Sequence, residues 1–266
     1  MKHAKGRIAT LTLGLLLLLA ICAASALASH ELRDPFVADP LGPYSLLSNP
    51  ASIYQDNHFV LRAGLAQGRV GSSTTQLVAY VEPDMGNGAG ALYWHGGNLA
   101  TGSKLREVGY VVSRKIANGL AVGFTLKHVK EDAMGTWATD AGVMTVGPGR
   151  IRLGLTVHNF TGATVLNPTR VTAGINFAVA PMFMNLSVAV RTAWMGEPKD
   201  MEAAVAVDIR PVSSTTVRVG RVVNIDTSAG YWFGGVKVDF ERFYIDANIA
   251  MAGSDRRIMI GAVYRF

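Results

Sequence analysis

Apart from Cys22 the chain has no cysteine, and Cys22 lies inside an N-terminal apolar run. That excludes a disulfide-stapled scaffold and a thiol nucleophile in the rest of the chain. Charge is scarce too: Asp, Glu, Lys and Arg make up 17% of residues, below the roughly 25% of soluble domains. No Lys/Arg cluster follows the first residues, so nucleic acid is not an expected partner. After the N-terminal run, no apolar stretch approaches the roughly 20 residues that a membrane helix needs. HExxH, Gly-x-Ser-x-Gly and phosphate-loop patterns are missing as well, so no catalytic residue, metal ligand or cofactor is expected.

What is present begins with a leader. Lys2, Lys5 and Arg7 precede an apolar run from Leu11 to Cys22, and Ala26-Leu27-Ala28 closes it with small residues. This is the pattern of a secretory signal peptide over residues 1–28. A lipoprotein reading through Cys22 is opposed by the bulky Ile21 before it. Removing the three leader cations lowers the basic count from 25 to 22 against 19 acids, and the net charge from +6 to +3. The expected mature chain of about 238 residues is exported, apolar and without membrane helices.

From about residue 58 the sequence alternates. Ala203, Val205, Val207 and Ile209 oppose Glu202, Ala204, Asp208 and Arg210, and Trp232, Val236, Val238 and Phe240 oppose Lys237 and Asp239. Period two places such sets on opposite faces of a strand. About fourteen segments of this kind follow one another, with twelve as the fallback, because those near residues 74, 136 and 215 are weaker. Arg221 interrupts the last of them. The expected fold class is all-β, a transmembrane antiparallel barrel spanning residues 58–266. Three features set it apart from a soluble sandwich. The second face is small and sparsely charged. Connections after even-numbered segments are short, and those after odd-numbered ones are longer, as in outer-membrane barrels. Aromatics collect at segment ends: Phe59, Phe183, Phe240, Phe243 and Tyr264 at one rim, and Trp137, Phe160, Trp194 and Trp232 at the other. Interfacial girdles have that arrangement.

Charges on the inward face are expected at Arg152, His158, Arg191, Asp208, Arg210, Arg218, Lys237, Asp239 and Asp246. Paired ladders that brace the wall are one role for them, and selectivity in a polar pathway is the other. Of His95, His128 and His158, only His158 is expected to face inward. The glycine-rich "GNGAG" at 86–90 sits between strands and reads as a turn.

The last residues, Ile258, Ile260, Ala262, Tyr264 and Phe266, alternate to the final position. They resemble the C-terminal signal of outer-membrane barrels, which implies recognition of Tyr264 and Phe266 by the barrel assembly machinery. Residues 29–57 carry four prolines and many apolar side chains, too irregular for a strand and too apolar for a linker. Within them "SNPASIY" is similar to the Asn-Pro-Ala element before the first strand of FadL-type outer-membrane transporters, a superfamily that includes the barrel subunit of type IX secretion. The resemblance implies an N-terminal hatch held by Asn49, Pro50 and Ala51 in a fourteen-stranded barrel. It also implies surrounding outer-membrane lipid and passive passage of small hydrophobic molecules. A barrel that serves as scaffold or assembly partner of an envelope complex, without transport, is the alternative.

Overall fold

In a computed structural model the described residues are 36–38, 42–68, 73–98, 102–146, 151–162, 168–180, 183–193, 201–253 and 255–266. The leader expected over 1–28 and Trp194 lie outside them. One helical turn, α1 (Ser45–Ser48), and a 3-10 helix (Pro50–Gln55) precede fourteen strands. These are β1 (Val60–Gly68), β2 (Thr74–Glu82), β3 (Ala89–Asn98), β4 (Lys104–Ala117), β5 (Leu120–Glu131), β6 (Met134–Val146) and β7 (Arg152–Thr161). They continue as β8 (Arg170–Ala180), β9 (Met184–Ala193), β10 (Glu202–Val212), β11 (Thr215–Asn224), β12 (Gly230–Phe240), β13 (Phe243–Ala252) and β14 (Asp255–Arg265). Each pairs antiparallel with its neighbours in sequence, and β1 pairs with β14, so the sheet is a closed barrel. Closure satisfies the edge groups that lipid could not. The three weaker segments, at β2, β6 and β11, are full strands.

Alternation is what fixes the faces. On β10, Val205 and Ile209 are exposed at 45% and 48%, while Ala204, Ala206 and Asp208 are buried. Arg221 does point outward, and its guanidinium lies 5.2 Å from the Trp232 ring centroid. The rim aromatics pair with one another: Phe240 of β12 stacks on Phe243 of β13 at 4.5 Å, and Tyr264 meets Phe266 along the same strand edge-on at 5.0 Å.

The loops sort less sharply than the alternating lengths suggest. β5–β6 and β13–β14 turn within two residues at the end expected to carry longer loops, and β2–β3 takes six at the other. That six-residue turn holds the first three residues of GNGAG, and Ala89 and Gly90 already belong to β3. Gly86 and Gly88 adopt φ +104° and +112°, which side chains resist. Their N–H groups each donate to Asp84 Oδ1 at 2.8 Å, and these two bonds hold the Asp84 carboxyl below its usual range.

Candidate functional site in the barrel interior

The inner wall has two characters. Across β1–β4 it is mainly apolar, with Arg62, His95 and Glu107 as exceptions: Val60, Leu77, Val81, Tyr93 and Val111 are each at most 2% exposed. They form one cluster with Tyr44, Leu46, Leu47 and Ile53 of the N-terminal segment. A second, smaller cluster puts Phe36 against Ala189, Ala204, Ala206 and Val222 on β9–β11. The segment therefore packs against the wall on two sides, along apolar surface whose burial favours contact.

Polar anchors fix its position. Asn49 is fully buried; its Nδ2 donates to Val37 O at 2.8 Å and Val143 O at 3.3 Å, and its Oδ1 accepts the Ala51 N–H at 3.0 Å. Ser113 Oγ donates to Ala51 O at 3.2 Å. Asn49 thus caps the 3-10 helix, with Pro50 at its first turn, where its missing N–H costs nothing. Arg62 on β1 reaches both Asp56 and Ser45 Oγ. Glycines on the wall make room: an added methyl at Gly123 would sit 2.3 Å from Ala51 N, and one at Gly142 2.2 Å from Asn49 Oδ1.

Elsewhere the interior is charged and paired. Lys127, with no exposure, lies 2.8 Å from Asp140 and 3.9 Å from Glu107, and the Tyr93 hydroxyl donates to Glu107 at 2.5 Å. Asp140 also accepts the Asn159 N–H at 2.8 Å, with His158 Nδ1 3.6 Å away. Arg218 grips Asp208 through two bonds of 2.5 and 2.7 Å and covers the Phe36 ring at 5.1 Å. Arg191 pairs with Glu202. At the rim that holds the C-terminus, Asp239 accepts from Arg265 at 3.1 and 3.2 Å, and Lys237 lies 4.2 Å over the Tyr244 ring. Asp246 accepts from Asn248 at 2.6 Å and abuts Gly42. Arg152 is half-buried near the start of β7.

Arg210 is a correction to the expected inner-wall set. It is exposed, because a bulge between Ile209 and Val212 ends the regular register just beside it. His95 is a second correction: it is buried on the inner face, 7% exposed, because Leu92 and Trp94 take the outward parity of β3. His128 faces outward against Trp137. Arg62, Glu107, Lys127 and Asp140 are buried inner-wall charges outside the expected set. The signal for three of them was local: Glu107 alternates with Val108 and Tyr110, Lys127 with Leu126, and Arg62 with Leu61.

A cavity of about 540 Å³ opens at the β1–β14 seam, lined by Gln55, Asp56, His58, Glu241, Arg242 and Arg265 among others. Among the described residues no group of His, Asp or Glu is arranged to hold a metal ion.

No protein-family description and no curated protein matches the sequence. Solved structures do match in fold. The CymD monoaromatic hydrocarbon channel is similar over 86% of this chain and 94% of its own, with 12% identity and a TM-score of 0.62. The Pseudomonas putida toluene transporter TodX is similar over 90% and 98%, with 10% identity and the same 0.62. The Acinetobacter baumannii outer membrane protein Omp33 is similar over 80% and 100%, with 13% identity and a TM-score of 0.53. Identities this low establish a shared barrel fold.

Proposed function

We propose that this chain is a FadL-like outer-membrane barrel that lets small hydrophobic molecules pass passively, with residues 29–57 as its hatch. The supporting observation is the apolar strip on the inner wall. It runs from Val60 and Val81, near the rim of the chain's C-terminus, up to Leu77 and Tyr93 near mid-strand, and the N-terminal segment packs along it. A pathway for ions would leave charge unpaired along its wall; here inward charges are drawn into pairs, Lys127 with Asp140 and Arg218 with Asp208. Apolar surface beside a removable segment suits a solute that gains by shedding water on entry. The fold likeness to a hydrocarbon channel and a toluene transporter, and the Asn49-Pro50-Ala51 element, point the same way.

A scaffold without transport is the second reading. Burial along the inner wall favours it, with Lys127 and Thr156 both at 0% exposure. Uptake into liposomes decides between them. Under the conduit reading, liposomes carrying the protein admit toluene-sized aromatics and alkanes faster than empty ones, and admit sugars of similar mass no faster. Deleting residues 34–55 then raises leakage of small solutes while the barrel still assembles. Rates equal to those of empty liposomes for every solute would leave the scaffold.

A further inference from the structure

On the outer face of the wall, two cations stand directly opposite each other. Arg106 on β4 and Lys130 on β5 are register partners, both exposed, and both share the outward parity of Val108 and Leu126. Like charges directly across an antiparallel pair repel. Glycines flank them in the same row, Gly96 opposite Arg106 and Gly135 opposite Lys130, so no neighbouring side chain separates or neutralises them. Among the described residues neither makes an ion pair. The carboxylate of the following turn, Asp132, accepts the Lys104 backbone N–H at 2.8 Å, and Lys104 adds a third exposed cation one row further out.

The rings of the next row close the sides. A methyl at Gly96 would meet Trp94 Cζ2 at 2.9 Å, and one at Gly135 would meet His128 Nε2 at 3.0 Å. The indole and the imidazole thus lie over the two glycines. That next row reads Trp94, Val108, His128, Trp137 across β3–β6, and tryptophans of this kind mark the membrane–water boundary. The cation pair therefore sits one step beyond the apolar band, at the depth of lipid headgroups, at the barrel end opposite both termini.

The geometry points to a binding site for the phosphate of an outer-leaflet glycolipid, gripped by Arg106 and Lys130 with His128 Nε2 beside it and acyl chains along Val108 and Leu126. A shared phosphate would relieve the repulsion and form charge-assisted bonds to both cations. Arg221, the exposed cation of β11, already has Trp232 as a partner and serves as a control.

The site rests on the outer-membrane reading above, but its test needs no transport. The full chain in detergent is mixed with diphosphorylated lipid A, with the same lipid stripped of phosphate, or with inorganic phosphate, and bound species are counted by native mass spectrometry. Wild type and Arg221→Gln should retain the phosphorylated lipid, and Arg106→Gln/Lys130→Gln should retain about tenfold less. Circular dichroism checks that the double variant remains a barrel, and Arg106→Lys should keep most of the binding. Equal retention by the double variant, equal retention of the stripped lipid, or displacement by equimolar inorganic phosphate would each overturn the proposal. A protein that holds the lipid but passes no solute ends only the conduit reading. One that passes solute without holding the lipid ends only this site.

Discussion

Lys127 is a cation buried in the interior between two carboxylates. It has no exposure, with Asp140 at 2.8 Å and Glu107 at 3.9 Å. Taking away one partner of a buried pair strands the other's charge, which costs about 3–5 kcal/mol. Lys127→Met should lower stability by that amount in urea titrations of folding into lipid vesicles. Lys237→Met is the comparison: its side chain is 22% exposed and 3.8 Å from Asp239, so solvent screens the pair and the loss should be under about 1 kcal/mol. Asn49 is the corresponding point for the N-terminal segment. Asn49→Ala removes one acceptor and two donor bonds, leaving the Val37 and Val143 carbonyls short of a partner. A cost of about 2–3 kcal/mol is expected, with protease cutting appearing between residues 36 and 55 before the barrel itself unfolds.

At the scale of elements, the strands carry the membrane-facing register. Val205 is 45% exposed and central on β10, and Met201 precedes the same strand on the same parity at the rim. Arginine at the bilayer midplane costs roughly 2–4 kcal/mol and near the interface roughly 0–1. Val205→Arg should therefore cost the larger amount and Met201→Arg the smaller, both read from vesicle folding equilibria. Equal costs would mean that Val205 does not lie near the bilayer midplane. The wall glycines give a sharper test of the N-terminal element. Gly142→Ala pushes a methyl to 2.2 Å from Asn49 Oδ1, whereas at Gly234 the nearest atom, Arg218 O, is 3.6 Å away. Gly142→Ala should expose residues 36–55 to protease while leaving the barrel's circular dichroism unchanged, and Gly234→Ala should do neither.

For the molecule as a whole, closure is the decisive event, and the final residue takes part in it. The Phe266 N–H donates to Phe59 O at 2.9 Å, extending the β1–β14 ladder to the end of the sequence. The loss of one rim bond leaves the nine register pairs of β1 with β14, Val60–Arg265 through Gly68–Arg257, in place. Deleting Phe266 should therefore change folding in detergent little. We propose that the assembly machinery reads Tyr264 and Phe266 together, so the same deletion should reduce the amount of barrel assembled in the outer membrane of cells. Equal losses in both settings would reduce Phe266 to a structural role.

Strand number and most of the faces and limits were legible in the sequence, because lipid outside and a filled interior impose the same period-two pattern on every strand. Even Arg221, which breaks that pattern, keeps its parity and finds Trp232. The end of the pattern at Arg210 was not legible, since a bulge is a property of two strands together. Nor was the partner of any inward charge. Lys127, Asp140 and Glu107 lie on three strands and meet only when the barrel's register is set. The apolar strip of β1–β4 stayed hidden for a related reason: Leu77, Val81 and Tyr93 alternate with apolar outward residues, so both faces look alike in one dimension. Sequence alone decided that there is a barrel, because alternation is local. Tertiary structure decided what the barrel's interior holds, because ion pairs, glycine clearances and the seat of Asn49 depend on residues brought together only by closure.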